Sequence, residues 1–431
     1  MRKWNLVVLS ILLVLSSILV GQIIYRHNTT TVLKVGVYAG STWDVYSDQP
    51  YQWIDQAVSQ FQKDHPKIRI EYESGIRKED YMDWLSEKIV NGEMPDVFIV
   101  PPEDFDYLAD DAAFCPLDHL LTDQEKAEFY PAALNAGKYK GVQYAMPLES
   151  NPYVMCVNTD ILKKEGIAVP DNDWTVDQFE KICEEVTKDT NNDGIIDQHG
   201  TADYSWKYML ESMGLQAFDE DGMNCLLNET KQKEALLKVQ SLHNLNQGYR
   251  VTSKDFDAGK AAFLPMTFAE YRTYRSYPYH ISKFSGFSWI CLQMPGTKEN
   301  KKTTISPSLV MAVSSQCAQK KQAEEFVRYC ALNDDLQKVM FTSSSGAPVR
   351  KNITNSQEIA ETLMNGNDNT ESITPETLDN ILENAGEEPE FDKYGQAMEH
   401  ADYLLTNSIN NDTLNNDLSE ITRELNTMLK E

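Results

Sequence analysis

Few residues in this chain are placed by type and spacing to do chemistry. Asp189, Asn191, Asp193, Ile195 and Asp197 belong to the run Asp-Thr-Asn-Asn-Asp-Gly-Ile-Ile-Asp. That run sets oxygen donors at the first, third and fifth places of a calcium loop, a turn glycine at the sixth, a backbone carbonyl at the seventh and an acid at the ninth. The twelfth place, where a bidentate glutamate completes such a loop, is Gly200. A weak structural Ca²⁺ site is one expectation, and an Asx-rich turn closing a helix is the other. A second set is aromatic: Trp43, Tyr46, Tyr153, Trp206, Phe268, Tyr271, Tyr274 and Trp289 fall at strand ends or in loop-like stretches. Several have polar neighbours, as in Trp43-Asp44, Glu149 near Tyr153, and Arg272 and Arg275 beside Tyr271. A sugar offers a flat C–H face rimmed by hydroxyls, so its site needs aromatic platforms with carboxylates, amides or guanidinium groups alongside. Ordinary core packing competes for each aromatic taken singly.

Catalytic signatures are scarce. The sequence has no GxSxG, HExxH, GxxxxGK[ST] or GxGxxG pattern, which removes the usual support for serine hydrolases, zinc proteases, P-loop NTPases and dinucleotide enzymes. Glycoside hydrolysis needs only two facing carboxylates, and 66 Asp+Glu can supply them. The seven cysteines contain no CxxC pair, so neither a zinc site nor a dense disulfide scaffold is indicated. An odd count outside the cell leaves at least one free thiol, and burial in the core suits most of them. No cysteine is assigned a catalytic role.

The elements that must hold these residues occupy a 431-residue chain, which against roughly 150 residues per domain suggests two lobes. Hydrophobic residues make up 41% and charged residues 24%, a globular composition with a large core. A net charge of −27 repels phosphate backbones, and nucleic acid is discarded as a partner. At the N-terminus Arg2 and Lys3 precede an apolar stretch over residues 6–20 that continues to Tyr25. As a helix at ~1.5 Å per residue, residues 4–25 would span about 30 Å, one hydrocarbon core, with the rest of the chain outside. Leu19-Val20-Gly21-Gln22 looks like a bacterial lipobox with Gln22 in place of the lipidated cysteine. Residues 1–26 are therefore expected to be an uncleaved signal anchor, with cleavage near Gly21 as the alternative.

Beyond a polar linker, alternation predicts a strand over 32–38, and Trp53, Ile54, Ala57, Val58 and Phe61 predict a helix ended by Pro66. A strand at 68–72, a helix from 78 to 91 and a strand at 96–100 follow, which makes an α/β lobe. A second lobe begins near Glu149, with extended runs between 144 and 157 and helices over 174–187, 231–247, 320–340 and beyond 375. Strands are expected at 260–264 and 287–292, and residues 351–374 read partly as surface loop.

The order of these segments resembles the extracellular solute-binding proteins of ABC importers, in the carbohydrate-binding family that includes maltose-binding protein, over residues 32–431. The resemblance rests on the loop Ser41-Thr42-Trp43, the helix end Phe61-Gln62-Lys63-Asp64-His65-Pro66, and Asn91-Gly92-Glu93-Met94-Pro95-Asp96-Val97. Tyr144-Ala145-Met146-Pro147, Val157-Asn158-Thr159-Asp160, Gly259-Lys260-Ala261-Ala262-Phe263, Met294-Pro295-Gly296 and Ser345-Gly346-Ala347-Pro348 continue it. It implies an α/β fold of two lobes joined by hinge strands, with lobe one at 32–148 plus 281–307 and lobe two at 149–280 plus 308–431. It also implies ligand contacts at Trp43, Asp96, Glu149, Tyr153, Trp206, Phe268, Trp289 and Gly346. Met266-Thr267-Phe268 departs from the small residue, Gly and Trp of many members. The expected protein is a non-catalytic monomer, with no required cofactor, that captures a carbohydrate at the outer face of the membrane for an ABC permease. The same fold binding a non-sugar solute or reporting to a sensor kinase, a glycoside hydrolase, and a surface protein with a dead cleft are the competing readings.

Overall fold

The computed structural model describes residues 30–46, 49–276, 286–364, 373–387, 389, 391 and 393–430. The anchor expected over residues 1–26 lies outside them. Among the described residues no helix is long and apolar enough to cross a membrane.

Strand β1 (Thr31–Gly36) turns Leu33 and Val35 inward and Lys34 outward, the period of two that its sequence shows. Helix α1 (Gln52–Asp64) buries Ile54, Ala57 and Phe61 on one stripe and stops before Pro66. β2 (Ile68–Tyr72), α2 (Lys78–Val90), β3 (Val97–Val100) and α3 (Phe105–Asp110) follow. β4 (Ala145–Ser150) is buried along its whole length, and only Asn151 and Pro152 separate it from β5 (Tyr153–Asn158). Helix α4 (Val176–Val186) starts at a capping box in which Thr175 and Gln178 bond each other's backbone N–H. Next come β6 (His199–Thr201), α5 (Trp206–Met213), α6 (Thr230–Asn244), β7 (Ala261–Thr267) and α7 (Phe268–Ser276). The chain ends through β8 (Trp289–Leu292), β9 (Ser308–Val313), α8 (Lys320–Leu332), α9 (Asp334–Ser343), α10 (Tyr394–Asn410) and α11 (Leu414–Met428).

Two sheets organise this chain. The first runs β2-β1-β3-β9-β4, with β1 parallel to β2 and β3, and β9 antiparallel to both of its neighbours. The second runs β8-β5-β7-β6, with β5 antiparallel to β8 and β7. Alternation along β5 divides the packing: Met155 and Val157 join the core under α4, α5, α6, α10 and α11, while Val154 and Cys156 join the core continuous with the first lobe.

Pairing moves the lobe boundaries expected from the resemblance. β8 falls within the 281–307 stretch assigned to lobe one, yet it pairs with β5 in the second sheet. β9 falls within the 308–431 stretch assigned to lobe two, yet it is an interior strand of the first sheet, and α8 and α9 pack on that lobe. The chain thus returns to the first lobe after β8, and it crosses again before α10 and α11, which pack on the second. Part of the stretch read as surface loop folds as two short helices, Lys351–Thr354 and Gln357–Met364.

Candidate functional site

Because β9 runs against β3 and β4, the C-terminal ends of β1, β3 and β4 and the start of β9 share one edge of the first sheet. In open α/β sheets ligands bind outside the carboxyl ends of the strands. Here the loop that leaves that edge after β1 borders a cavity of about 590 Å³ shared with the second lobe. Val45 and Tyr46, in the loop that follows β1, line one side, and Asp203, Tyr208, Ser253 and Glu270 line the other with the end of β7. Tyr46 is 70% exposed.

Each polar group on the second lobe is held by local structure. Asp203 has a φ of 45°, a left-handed conformation its short polar side chain tolerates, and its carboxylate accepts the Ser253 N–H at 2.7 Å. The Glu270 carboxylate accepts the Thr267 N–H at 2.7 Å in a capping box at the start of α7. Tyr208 packs edge-on against Tyr153, with ring centroids 4.9 Å apart, and burial raises its phenol so that it stays a hydrogen-bond donor.

On the first lobe's edge a buried carboxylate lines a separate small pocket with Tyr38, Thr42 and Ser344. Glu149, at the end of β4, accepts a short hydrogen bond from Ser344 Oγ and another from Thr42, whose Oγ1 in turn accepts the Tyr38 hydroxyl at 2.8 Å. Burial pushes the Glu149 carboxyl up, while Ser344, Thr42, the Arg272 charge and the Trp43 indole oppose it. Trp43 Nε1 is buried and makes no hydrogen bond of ordinary geometry. Gly346 closes over both, and a Cβ there would lie 2.5 Å from Glu149 Oε2 and 2.7 Å from Trp43 Nε1. Arg272, on α7 of the second lobe, reaches across to donate to the Phe341 carbonyl and sits 4.0 Å over the Phe341 ring of α9.

The cavity thus lies between two α/β lobes, and the β4–β5 crossing between them is only Asn151 and Pro152 long. A family model, bacterial extracellular solute-binding protein, matches residues 46–336 of this chain. The chain belongs to that family. Its fold recurs in solved solute-binding proteins. A cyclic alpha-maltosyl-1,6-maltose binding protein from Arthrobacter globiformis aligns with a TM-score of 0.75 at 14% identity, covering 93% of this chain and 99% of that one. The sugar-binding protein MalE from Xanthomonas citri aligns at 0.73 and 13% identity, covering 93% and 98%. A Listeria monocytogenes ABC substrate-binding protein solved with cycloalternan aligns at 0.66 and 19% identity, covering 93% and 99%. At such identities the likeness establishes the shared two-lobed fold.

In this solute-binding fold the eight ligand contacts expected from the resemblance separate into three groups. Trp43, Glu149 and Gly346 come together at the first lobe's edge. Tyr153 reaches the cleft region through its packing on Tyr208. The other four lie outside the lining of that cavity. Asp96 sits at the start of β3, the opposite end of the sheet from Glu149, where its carboxylate accepts the Lys34 N–H at 2.9 Å. Trp206 is buried in the second core with Nε1 donating to Asp402 at 2.9 Å. Phe268 is fully buried, and Trp289 packs edge-on to Tyr271 with centroids 6.0 Å apart. The cavity-lining Asp203, Tyr208, Ser253 and Glu270 were not among the expected contacts. The capping signal Thr267-x-x-Glu270 is legible in the sequence, but it says nothing about a cavity.

The Asp-rich loop folds on its own oxygens. Asp189 accepts the N–H groups of Asn191, Asp193 and Gly194, and Asp197 accepts from Thr190 and Asn191. Gly200, the twelfth place, lies in β6 with its α-carbon against α4, and a Cβ would stand 2.6 Å from Cys183 Cβ. A glutamate cannot occupy that place without moving α4. Among the described residues no three His, Cys, Asp or Glu side chains are grouped to hold a metal ion.

Proposed function

We propose that this solute-binding protein captures an oligosaccharide in the cleft and presents it to an ABC permease, held at the outer face of the membrane by residues 1–26. The carrying observation is the cavity of about 590 Å³, in the size range of small-molecule sites, with Tyr46 and Tyr208 for sugar faces and Asp203, Glu270 and Ser253 for hydroxyls. Neighbours of the same fold are described with cycloalternan, mannotriose and maltotetraose bound, which supports a carbohydrate as the class of solute. The protein acts as a monomer that binds its solute without turning it over. Closure of the lobes buries the ligand, and the closed form is what a permease would recognise.

The decisive assay is a thermal-shift screen of the full-length protein in detergent against linear and cyclic oligosaccharides. A true ligand at ~100 times Kd stabilises by about 2.7 kcal/mol. A selective rise with the sugar recovered intact supports the reading. No rise with any sugar moves the assignment to another solute, and consumption of the sugar would make the protein a hydrolase.

A further inference from the structure

We propose that Cys156 and Cys291 are joined by a disulfide in the exported protein. The two residues face each other across the antiparallel β5–β8 pair, and their sulfurs stand 3.1 Å apart, inside van der Waals contact. The phase of the ladder places them well. Thr159 N–H donates to Ser288 O at 2.9 Å, so the hydrogen-bonded pairs fall on alternate positions and leave Cys156 opposite Cys291 in a non-hydrogen-bonded pair. At such a pair the α-carbons are ~4.5 Å apart and the side chains closest, which meets the separation a disulfide needs.

Both cysteines are buried on the face of the second sheet that continues into the first core. Burial and the neighbouring thiol push the Cys156 thiol well up, which makes it a poor nucleophile once the sheet is packed. Oxidation therefore belongs to folding, before β8 docks. One thiolate attacks a small or protein-borne disulfide, and the second displaces that oxidant's remaining thiol. The pair gives up two electrons and two protons, and the oxidant leaves as two thiols. The bond ties β8 to β5 across 135 positions of sequence while leaving the Asn151-Pro152 crossing free. Removing this pair from the seven cysteines leaves five as buried thiols, consistent with the odd count.

The experiment refolds the full-length protein from denaturant in a buffer of glutathione and glutathione disulfide. It then denatures the product without reductant, alkylates with iodoacetamide, and reads intact mass and a peptide map. Five alkylated cysteines and a linked peptide pair spanning 156 and 291 are expected. A lower melting temperature in dithiothreitol is also expected, absent from Cys156→Ala/Cys291→Ala. Seven alkylated cysteines, or a bridge between any other pair, would overturn the proposal. The mass readout needs no variant to fold and no sugar to bind, so it stands apart from the carbohydrate assignment.

Discussion

Gly346→Ala isolates the packing behind the cleft. Its new methyl carbon would meet Glu149 Oε2 at 2.5 Å, Trp43 Nε1 at 2.7 Å and Glu149 Cδ at 2.9 Å. Neither neighbour yields easily, because Glu149 is 5% exposed and bonded to Ser344 and Thr42, and the indole is wedged beside it. Overpacking a tight site costs ~1–3 kcal/mol. Prising a buried carboxylate from a donor adds ~1–3 kcal/mol. At about 2–4 °C per kcal/mol for a unit of one lobe's size, the melting temperature should fall by on the order of 10 °C. Differential scanning calorimetry reads this directly, and Trp43→Phe supplies the control. Removing Nε1 makes room for the methyl, so the double variant should recover part of the loss, a coupling of ~0.5–3 kcal/mol. Because Tyr46 follows Trp43 in the same loop, sugar affinity should weaken in Gly346→Ala and partly return in the double variant. A melting temperature within about 1 °C of the parent, or strict additivity, would refute the claim that this glycine exists to admit the Glu149–Trp43 contact.

Three further outcomes follow from the geometry. Ca²⁺ or a chelator should leave the melting temperature unmoved, since the Gly200 place has no room for the missing ligand, and a rise of several degrees with Ca²⁺ would contradict this. Burial first and Glu103 second push the Asp104 carboxyl up to about 6 against an ordinary 3.8, with Lys78 opposing. The folded value lies above the unfolded one, so the contribution to stability is complete below about pH 4 and lost as pH rises through about 6. Asp104→Asn should flatten the melting-temperature profile across that window, and an unchanged slope would count against it. Arg272→Ala removes the donor to Phe341 O and the cation over its ring. The lost interlobe contact, about 1–3 kcal/mol, should widen the unliganded protein in small-angle scattering and weaken sugar binding. An unchanged radius of gyration would show that Arg272 does not hold the lobes together.

How far the sequence reveals this molecule depends on where each signal is local. The run from β1 to β3 is legible because Leu33 and Val35 alternate, Ile54, Ala57 and Phe61 keep helical spacing, and Pro66 and Pro101 mark ends. β9 escapes notice because Ser-Leu-Val-Met-Ala-Val is buried on both faces, so it has no alternation to read. The boundaries carried over with the resemblance therefore have no strand signal at β9 to correct them, and they place β8 in the first lobe and β9 in the second. Trp43 and Glu149 already stand out by type and neighbours, in Trp43-Asp44 and in Glu149 near Tyr153, whereas Gly346 enters only through the resemblance.

The aromatics show a different limit. Trp206 and Tyr208 are two residues apart on α5, and sequence gives no reason to prefer the second. The helix start decides it: Trp206 points into the second core and donates to Asp402, while Tyr208 turns toward Tyr153 and the cavity. Phe268 is likewise spent on packing, because α7 must press against α9 if Arg272 is to reach Phe341 O. The largest aromatics thus fix the lobes, and tyrosines, apolar on the ring and polar at the tip, are left to line the cleft. That division fits the carbohydrate proposed as the solute: the buried rings hold the site rigid behind, and the tyrosines offer both a ring face and a hydroxyl at its surface.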